Sequence, residues 1–367
     1  MKKIIFIANA PFSSNKISIY QTLSQAQSIG KISDLTLLIP KRYDTRDIND
    51  FEYEASRKLN ITKNKLNFKI RCIEYFDITR YKILSQKLIF TISNLSFSIN
   101  ALHKNFLEGS EFIYTRDVIT MLVLSIKKLL RLLPDKRTIF ESHQYSKLRN
   151  FFVNYIDFLV TINYFQASLY DHPNIITLHD AVWEKEIIKK DKSFIPKTIL
   201  YSGSCTKEKG LYRLIYLADL LPEYKFKIAC INSDINKLKN EFIKRNNIEF
   251  IGKLSRKKLY KLIDNVEYCI LPNIPFQGDS NYTSPMKLFE YIARKKALIL
   301  SPIPSVKEIL SPNSYICLGS SKSDIRKAAT KIKQVSSKVI RERSYKSIKN
   351  FTWEKRANKL LKFITKE

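Results

Sequence analysis

The sequence predicts an α/β fold made of two domains, each a parallel sheet flanked by helices. Three observations carry this. Short apolar runs of strand length alternate with longer helical patterns along the whole chain, as parallel sheets with crossover helices require. The alternation breaks over Asp180 to Pro196, a charged stretch with Lys185, Lys189, Lys190, Asp191 and Lys192, and then restarts. Glycine is scarce, seven in 367 residues, and Gly203, Gly210 and Gly252 all flank expected strands, where tight strand-to-helix turns need them.

The elements follow in order. Strands are expected from Ile4 to Ala8, Leu35 to Ile39, Phe68 to Phe76, Phe112 to Tyr114, Thr138 to Phe140, Phe158 to Ile162 and Ile175 to Leu178. After the break they recur at Thr198 to Tyr201, Phe226 to Ile231, Ile248 to Ile251, Tyr268 to Leu271, Ala297 to Leu300 and Tyr315 to Leu318. The final stretch, Ser347 to Ile364, places Phe351, Trp353, Ala357, Leu360, Leu361 and Ile364 at roughly helical spacing and predicts a docked helix. The boundaries are therefore 1–182 for the first domain, 183–196 for a linker, 197–346 for the second domain and 347–367 for the last helix.

Composition narrows the classes. Hydrophobic residues make up 44% and charged residues 27%, which excludes a disordered chain. Lys and Arg number 64 against 34 Asp and Glu, a formal charge of +30, which implies attraction to polyanions: nucleic acid, anionic lipid or phosphorylated substrates. Five cysteines, spread apart and without a C-x-x-C pair, suggest neither a disulfide framework nor a zinc site, and fit a reducing cytosol. The apolar run near Met1 is too short for a signal peptide, and no stretch approaches the roughly 20 apolar residues of a membrane span. Two basic amphipathic stretches, Arg80 to Phe106 and Met121 to Leu133, suit either a core-facing helix or an anionic membrane surface.

Chemistry concentrates in four places. Ser284-Pro285-Met286-Lys287-Leu288-Phe289-Glu290-Tyr291 opens a helix, with the serine hydroxyl expected to cap it. Leu288, Phe289, Ile292 and Ala293 are expected on its buried face, and Glu290 lies within two turns of a positive helix end suited to phosphate. Ile199 to Gly210 reads as strand, glycine turn, polar loop and a lysine, Lys209, able to neutralise a diphosphate. Phe140-Glu141-Ser142-His143 and Tyr114-Thr115-Arg116-Asp117 both sit at the carboxyl ends of strands, the edge where open α/β sheets hold ligands.

These segments resemble the retaining glycosyltransferases of family four, of GT-B architecture (glycosyl transferases group 1). The likeness is to the subgroup reading close to Ser-Pro-Leu-Lys-Leu-Phe-Glu-Tyr-Met-Ala. The resemblance extends through Ser301 to Leu310 and Asn247 to Leu254, and Phe351-Thr352-Trp353-Glu354 is similar to the family's final helix, which crosses back to the first domain. It implies two Rossmann-like domains facing each other across a cleft. It also implies retaining transfer of a hexosyl-type sugar from a nucleotide diphosphate sugar, without metal or other cofactor, to a saccharide or lipid-linked acceptor. The implied role is surface-glycan synthesis, such as lipopolysaccharide or capsule; the charge of +30 and the two amphipathic stretches together point to a cytoplasmic protein attached peripherally to the inner face of the plasma membrane.

Residue by residue, the resemblance gives Lys209 the phosphate-lysine role and Glu290 the ribose role, and names His143, Lys209 and Glu290 as catalytic. Gly203, Ser204, Lys207, Leu254, Tyr282, Thr283, Ser284, Pro285, Met286 and Lys287 complete the donor-binding set, with Leu254 facing the base. Arg116, Glu141 and His143 fall on the acceptor side. Two positions depart from the family pattern: Ser204 replaces an arginine, with Lys207 or a first-domain arginine as substitutes, and Tyr282 replaces the first of two glutamates. Backbone amides around Thr283 to Met286 and the Tyr282 hydroxyl are the candidates for contacting the transferred sugar, with Asp279 and Asn281 just upstream and within reach of the same place. The rival readings are a basic nucleic-acid-binding protein and a catalytically silent scaffold of the same architecture.

Overall fold

Each of the apolar runs marked above forms a strand. The computed structural model describes residues 1–9, 17–41, 48–78, 85–206, 209–231, 242, 245–275 and 278–365. They divide into two units: Met1–Ile162 with Gln166–Leu178 and Trp353–Glu367, and Asn163–Phe165 with His179–Thr352.

The first unit holds β1 (Lys3–Ile7), β2 (Asp34–Pro40), β3 (Lys69–Ile73), β4 (Phe112–Thr115), β5 (Arg137–Ser142), β6 (Phe158–Thr161) and β7 (Ile175–Thr177). Among the described residues they form one sheet in the order β3-β2-β1-β4-β5-β6-β7, and each pair is parallel. All four residues of β4 and of β6 are buried, because helices cover both faces of a parallel sheet and leave no polar side. Chain order reverses between β1 and β4. Such a switch point opens a crevice at the carboxyl ends of the two strands, since their following loops diverge to opposite faces.

The second unit repeats the plan with β8 (Ile195–Ser204), β9 (Lys225–Ile231), β10 (Ile248–Phe250), β11 (Val266–Leu271), β12 (Ala297–Leu300) and β13 (Ile316–Cys317). They are parallel in the order β10-β9-β8-β11-β12-β13, with the switch between β8 and β11. Alternate side chains of one strand enter different cores: Ile199 and Tyr201 pack on one face, Leu200 on the other, as period-two geometry dictates.

Four expectations are corrected. Residues 183–196 are not a free linker but are fastened to the second unit. There Ile188 N–H donates to Ala293 O, Tyr345 Oη–H to Ile188 O and Lys295 Nζ to Lys189 O, while Trp183 is buried. The last helix does not begin near Ser347: one helix, Ser337–Ile348, ends there, and another, Trp353–Thr365, follows. Its Trp353, Ala357, Leu360 and Ile364 are buried, and it packs on the helix Ile17–Gly30 within the first unit. Ser284 does not cap its helix. Its hydroxyl accepts from Asp180 N–H at 2.9 Å, and Pro285 stands at the cap position of Met286–Ala293. Finally, Cys205 and Cys230, distant in sequence, lie side by side with Cα atoms 5.9 Å apart, because neighbouring strands β8 and β9 bring them together.

Candidate active site

In the second unit, the loops leaving β8 and β11 carry the expected donor residues. Gly203 has φ +152°, and a Cβ there would run into the Lys287 ammonium. Gly210 has φ +68°, and a Cβ would meet Pro272 O. Only glycine lets the backbone approach so closely at these two points. Lys287 therefore lies against the turn after β8, with Nζ 5.6 Å from the Tyr201 ring centroid.

Lys287 senses both expected anchors. Burial and the neighbouring Lys209 push its pKa down to about 8, and Glu290 opposes them. Two ammonium groups and a carboxylate thus converge at one edge of the sheet. Two crowded cations with one carboxylate nearby form a site whose charge is best balanced by an anion.

Glu290 sits in the middle of Met286–Ala293, where every residue except Lys287 is buried. It is 3% exposed. Its Oε1 lies 2.6 Å from Arg256 Nη1. Burial pushes its pKa up, Arg256 and Lys287 pull it down, and Glu186 raises it again. Arg256 was missed in the sequence, where it is one cation in the run Arg256-Lys257-Lys258 and nothing marks it out. The helix Arg256–Asp264, capped by Ser255, turns it inward while Lys257 and Lys258 stay exposed.

The remaining donor candidates are placed as follows. Ser204 ends β8, its carbonyl accepting from Tyr201 Oη–H at 2.6 Å. Leu254 packs against the second unit's core. Tyr282 closes a short 3-10 turn, its ring 6.1 Å from that of Phe165. Thr283 O and Asn281 O accept from Asn163 Nδ2, which ties this loop down. Met286 is buried. Lys207 and the Asp279 side chain lie outside the described residues.

The first unit assembles a second cluster from the loops and helices after β1, β4 and β5. Asp117 caps the helix Val118–Leu129 through Thr120 N–H, and Thr115 Oγ1–H donates to Ile7 O. Arg116 between them is thereby fixed. Its Nε and Nη2 lie 2.9 and 2.7 Å from His143 Nε2, and it also reaches Gln25 and Gln21. Burial, with Arg116 adding to it, pushes the His143 pKa down to about 4. The ring is therefore neutral near pH 7. Its Nε2 also lies 2.9 Å from Glu141 Oε1, and so stands between a guanidinium and a carboxylate.

Glu141, expected on the acceptor side, is fully buried. Its oxygens receive Gln25 Nε2–H at 2.9 and 3.1 Å, Arg356 Nη2–H at 2.8 Å and the Tyr114 hydroxyl, and Arg116 Nε lies 3.3 Å away. Burial would raise its pKa, but Arg356 and Arg116 hold it well below the ordinary carboxylate range. It anchors Arg116 and His143 from beneath. Arg356, Gln25 and Tyr114 were missed because their contacts with this buried carboxylate form only in the folded chain; Arg356 is 215 residues distant in sequence.

Residues 184–362 match the glycosyl transferases group 1 family. No curated protein sequence matches the chain. Among solved structures, sucrose-phosphate synthase from Thermosynechococcus elongatus is similar over 100% of this chain and 99% of its own, with a TM-score of 0.72 at 13% identity. Anabaena HepE in complex with UDP and glucose covers 100% of both chains, with a TM-score of 0.70 at 8% identity. The pneumococcal O-GlcNAc transferase GtfA in complex with UDP and GlcNAc is similar over 100% of this chain and 99% of its own, with a TM-score of 0.66 at 12% identity. The chain therefore has the GT-B fold of two parallel-sheet α/β domains, and residues 184–362 are similar to the glycosyl transferases group 1 family.

Proposed function

We propose that the protein is a retaining glycosyltransferase that moves a hexosyl-type sugar from a nucleoside diphosphate to a saccharide or lipid-linked acceptor, in the synthesis of a surface glycan. The observation that supports this is the convergence of Lys209, Lys287 and Glu290 at the switch point of the matched domain. Lys209 and Lys287 neutralise the diphosphate, and Lys287 takes over the charge that Ser204 lacks. Glu290 accepts hydrogen bonds from ribose hydroxyls. Charge grows on the diphosphate as the sugar departs, so cations fixed beside it stabilise the transition state more than the ground state. The leaving phosphate takes the acceptor's proton and the acceptor bonds on the same face, which preserves the anomeric configuration without a protein nucleophile. In the first unit, Arg116 and neutral His143 bind the acceptor; His143 contributes a hydrogen bond rather than a proton at neutral pH.

A panel of nucleoside diphosphates titrated calorimetrically tests the reading. At least one is expected to bind saturably, and Glu290→Ala or Lys209→Ala is expected to weaken it about 10- to 100-fold, the effect of losing one charge-assisted hydrogen bond. Salt-sensitive binding to mixed-sequence DNA, with no saturable nucleotide binding, would instead favour the nucleic-acid reading.

The same proposal places the protein on an anionic membrane surface. Among the described residues no helix is long and apolar enough to cross a membrane. Ile126, Leu129, Leu130 and Leu132 are nonetheless exposed beside Arg131. In the other amphipathic stretch Leu88, Leu95 and Ile99 are exposed at helical spacing, while its Arg80 and Lys82 lie outside the described residues. Exposed apolar side chains beside cations suit the boundary between lipid headgroups and acyl chains. Cosedimentation with phosphatidylserine vesicles is expected to exceed that with phosphatidylcholine vesicles and to fall for Leu129→Asp/Leu130→Asp. Equal recovery in both lipids would remove this part of the proposal.

A further inference from the structure

We propose that Arg256 is a positioning residue for Glu290, holding the buried carboxylate charged and fixing one of its oxygens so that the other is presented to the hydroxyl groups of a bound nucleotide. The inference rests on the reading of Glu290 as a hydroxyl-binding group.

A carboxyl group surrounded by Leu288, Phe289, Tyr291 and Ile292 tends to take up a proton, because its charged form loses the solvation of water. A protonated Glu290 offers a nucleotide hydroxyl a poorer acceptor. The charged groups facing Glu290 are few. From its own helix comes Lys287, whose positive charge is opposed by Lys209; from the turn Glu184–Glu186 comes Glu186, of like sign; from the helix Arg256–Asp264 comes Arg256. Among the described residues, Arg256 is the charged group in contact with the carboxylate, 2.6 Å away.

Arg256 is itself held on several sides. Its Nη2 lies 3.3 Å from Glu186 Oε1 and donates to the Tyr260 hydroxyl, and its guanidinium stacks 4.8 Å from the Tyr260 ring centroid. Arg256 and Tyr260 are four residues apart on one helix, so the stack costs little additional ordering. Arg294, paired with Asp264, approaches the same ring at 5.5 Å. The planar fork thus stands preorganised, with one arm on the carboxylate and the other on Glu186 and Tyr260. Lysine has the charge but not that geometry.

The test measures nucleoside diphosphate affinity of the full-length protein from pH 6 to pH 9.5 for wild type, Arg256→Ala and Arg256→Lys, using the nucleotide that wild type binds most tightly. Expressing each variant as a ratio to wild type removes the titration of the phosphate and of Lys287, which all three share. Without Arg256 the Glu290 carboxyl titrates at higher pH, so affinity is lost below that value and returns above it. Arg256→Ala is expected to bind about 10-fold more weakly at pH 6.5 and to approach wild type by pH 9.5, since each unit of upward shift past the working pH costs a factor of ten. Arg256→Lys is expected to restore a flat ratio while remaining weaker at every pH. An Arg256→Ala ratio that is constant across pH, or equal to one, overturns the inference while wild-type binding leaves the glycosyltransferase reading intact. Absence of nucleotide binding by wild type overturns both.

Discussion

Arg356→Ala is expected to destabilise the first unit by about 3–5 kcal/mol, the range for stripping one partner from a buried ion pair. Glu141 is fully buried, and Arg356 supplies its shortest cationic contact, with Arg116 farther away at 3.3 Å. Removing the guanidinium leaves a desolvated carboxylate short of charge and frees a bond to Leu178 O. Urea unfolding, with amide exchange read at β4 and β5, measures the loss. The double variant Glu141→Gln/Arg356→Met is expected to recover much of it, because a neutral pair carries no uncompensated charge. The pH dependence has a definite sign. Since the Glu141 pKa is depressed by folding, its contribution is present above the ordinary carboxylate value and is lost as pH falls toward the folded value. A single variant within 1 kcal/mol of wild type would show that the contact behaves like an exposed pair.

Arg213→Leu is expected to cost the second unit about 3–5 kcal/mol, through unsatisfied buried acceptors. Arg213 is fully buried. Its Nη1 donates to Pro272 O, Asn273 O and Ser301 Oγ, and its Nη2 to Leu318 O and Gly319 O. Among the described residues it makes no ion pair, so backbone dipoles balance its charge, which burial disfavours. The acceptors belong to the chain just past β11, β12 and β13. One side chain therefore braces three strand exits on the edge that carries the donor residues. Arg213→Lys is expected to recover little, because an ammonium cannot span five acceptors with the reach of a planar fork. Both variants are to be followed by thermal unfolding and nucleotide affinity together. Lost stability in Arg213→Leu with full recovery in Arg213→Lys would mean that charge, and not geometry, is what the site requires.

The strands were legible because a parallel strand buried on both faces is written as an unbroken apolar run. Ala297 to Leu300 is an example: the run and the strand coincide. Lys209, Lys287 and Glu290 were legible because they belong to contiguous motifs beside glycine turns. What sequence pattern did not yield is pairing across distance. Arg256 is hidden among 64 basic residues, and whether a given cation turns inward depends on the direction of one helix. Arg356 and Gln25 reach Glu141 only after the chain has folded, so no local spacing encodes them. The Ser284 hydroxyl failed for a related reason. Local rules assign it to its own helix, and tertiary structure hands it to Asp180.

The crossing at Trp353 has a consequence for biosynthesis. A polypeptide emerging from the ribosome normally completes its amino-terminal domain before the next one is made. Here the seven strands of the first unit, ending at Thr177, are all made before β8, yet the helix Trp353–Thr365 of the same unit follows every strand of the second. The first unit must wait for the helix Trp353–Thr365, which packs on the helix Ile17–Gly30. The first unit therefore gains one of its packed helices only after the second unit has been made.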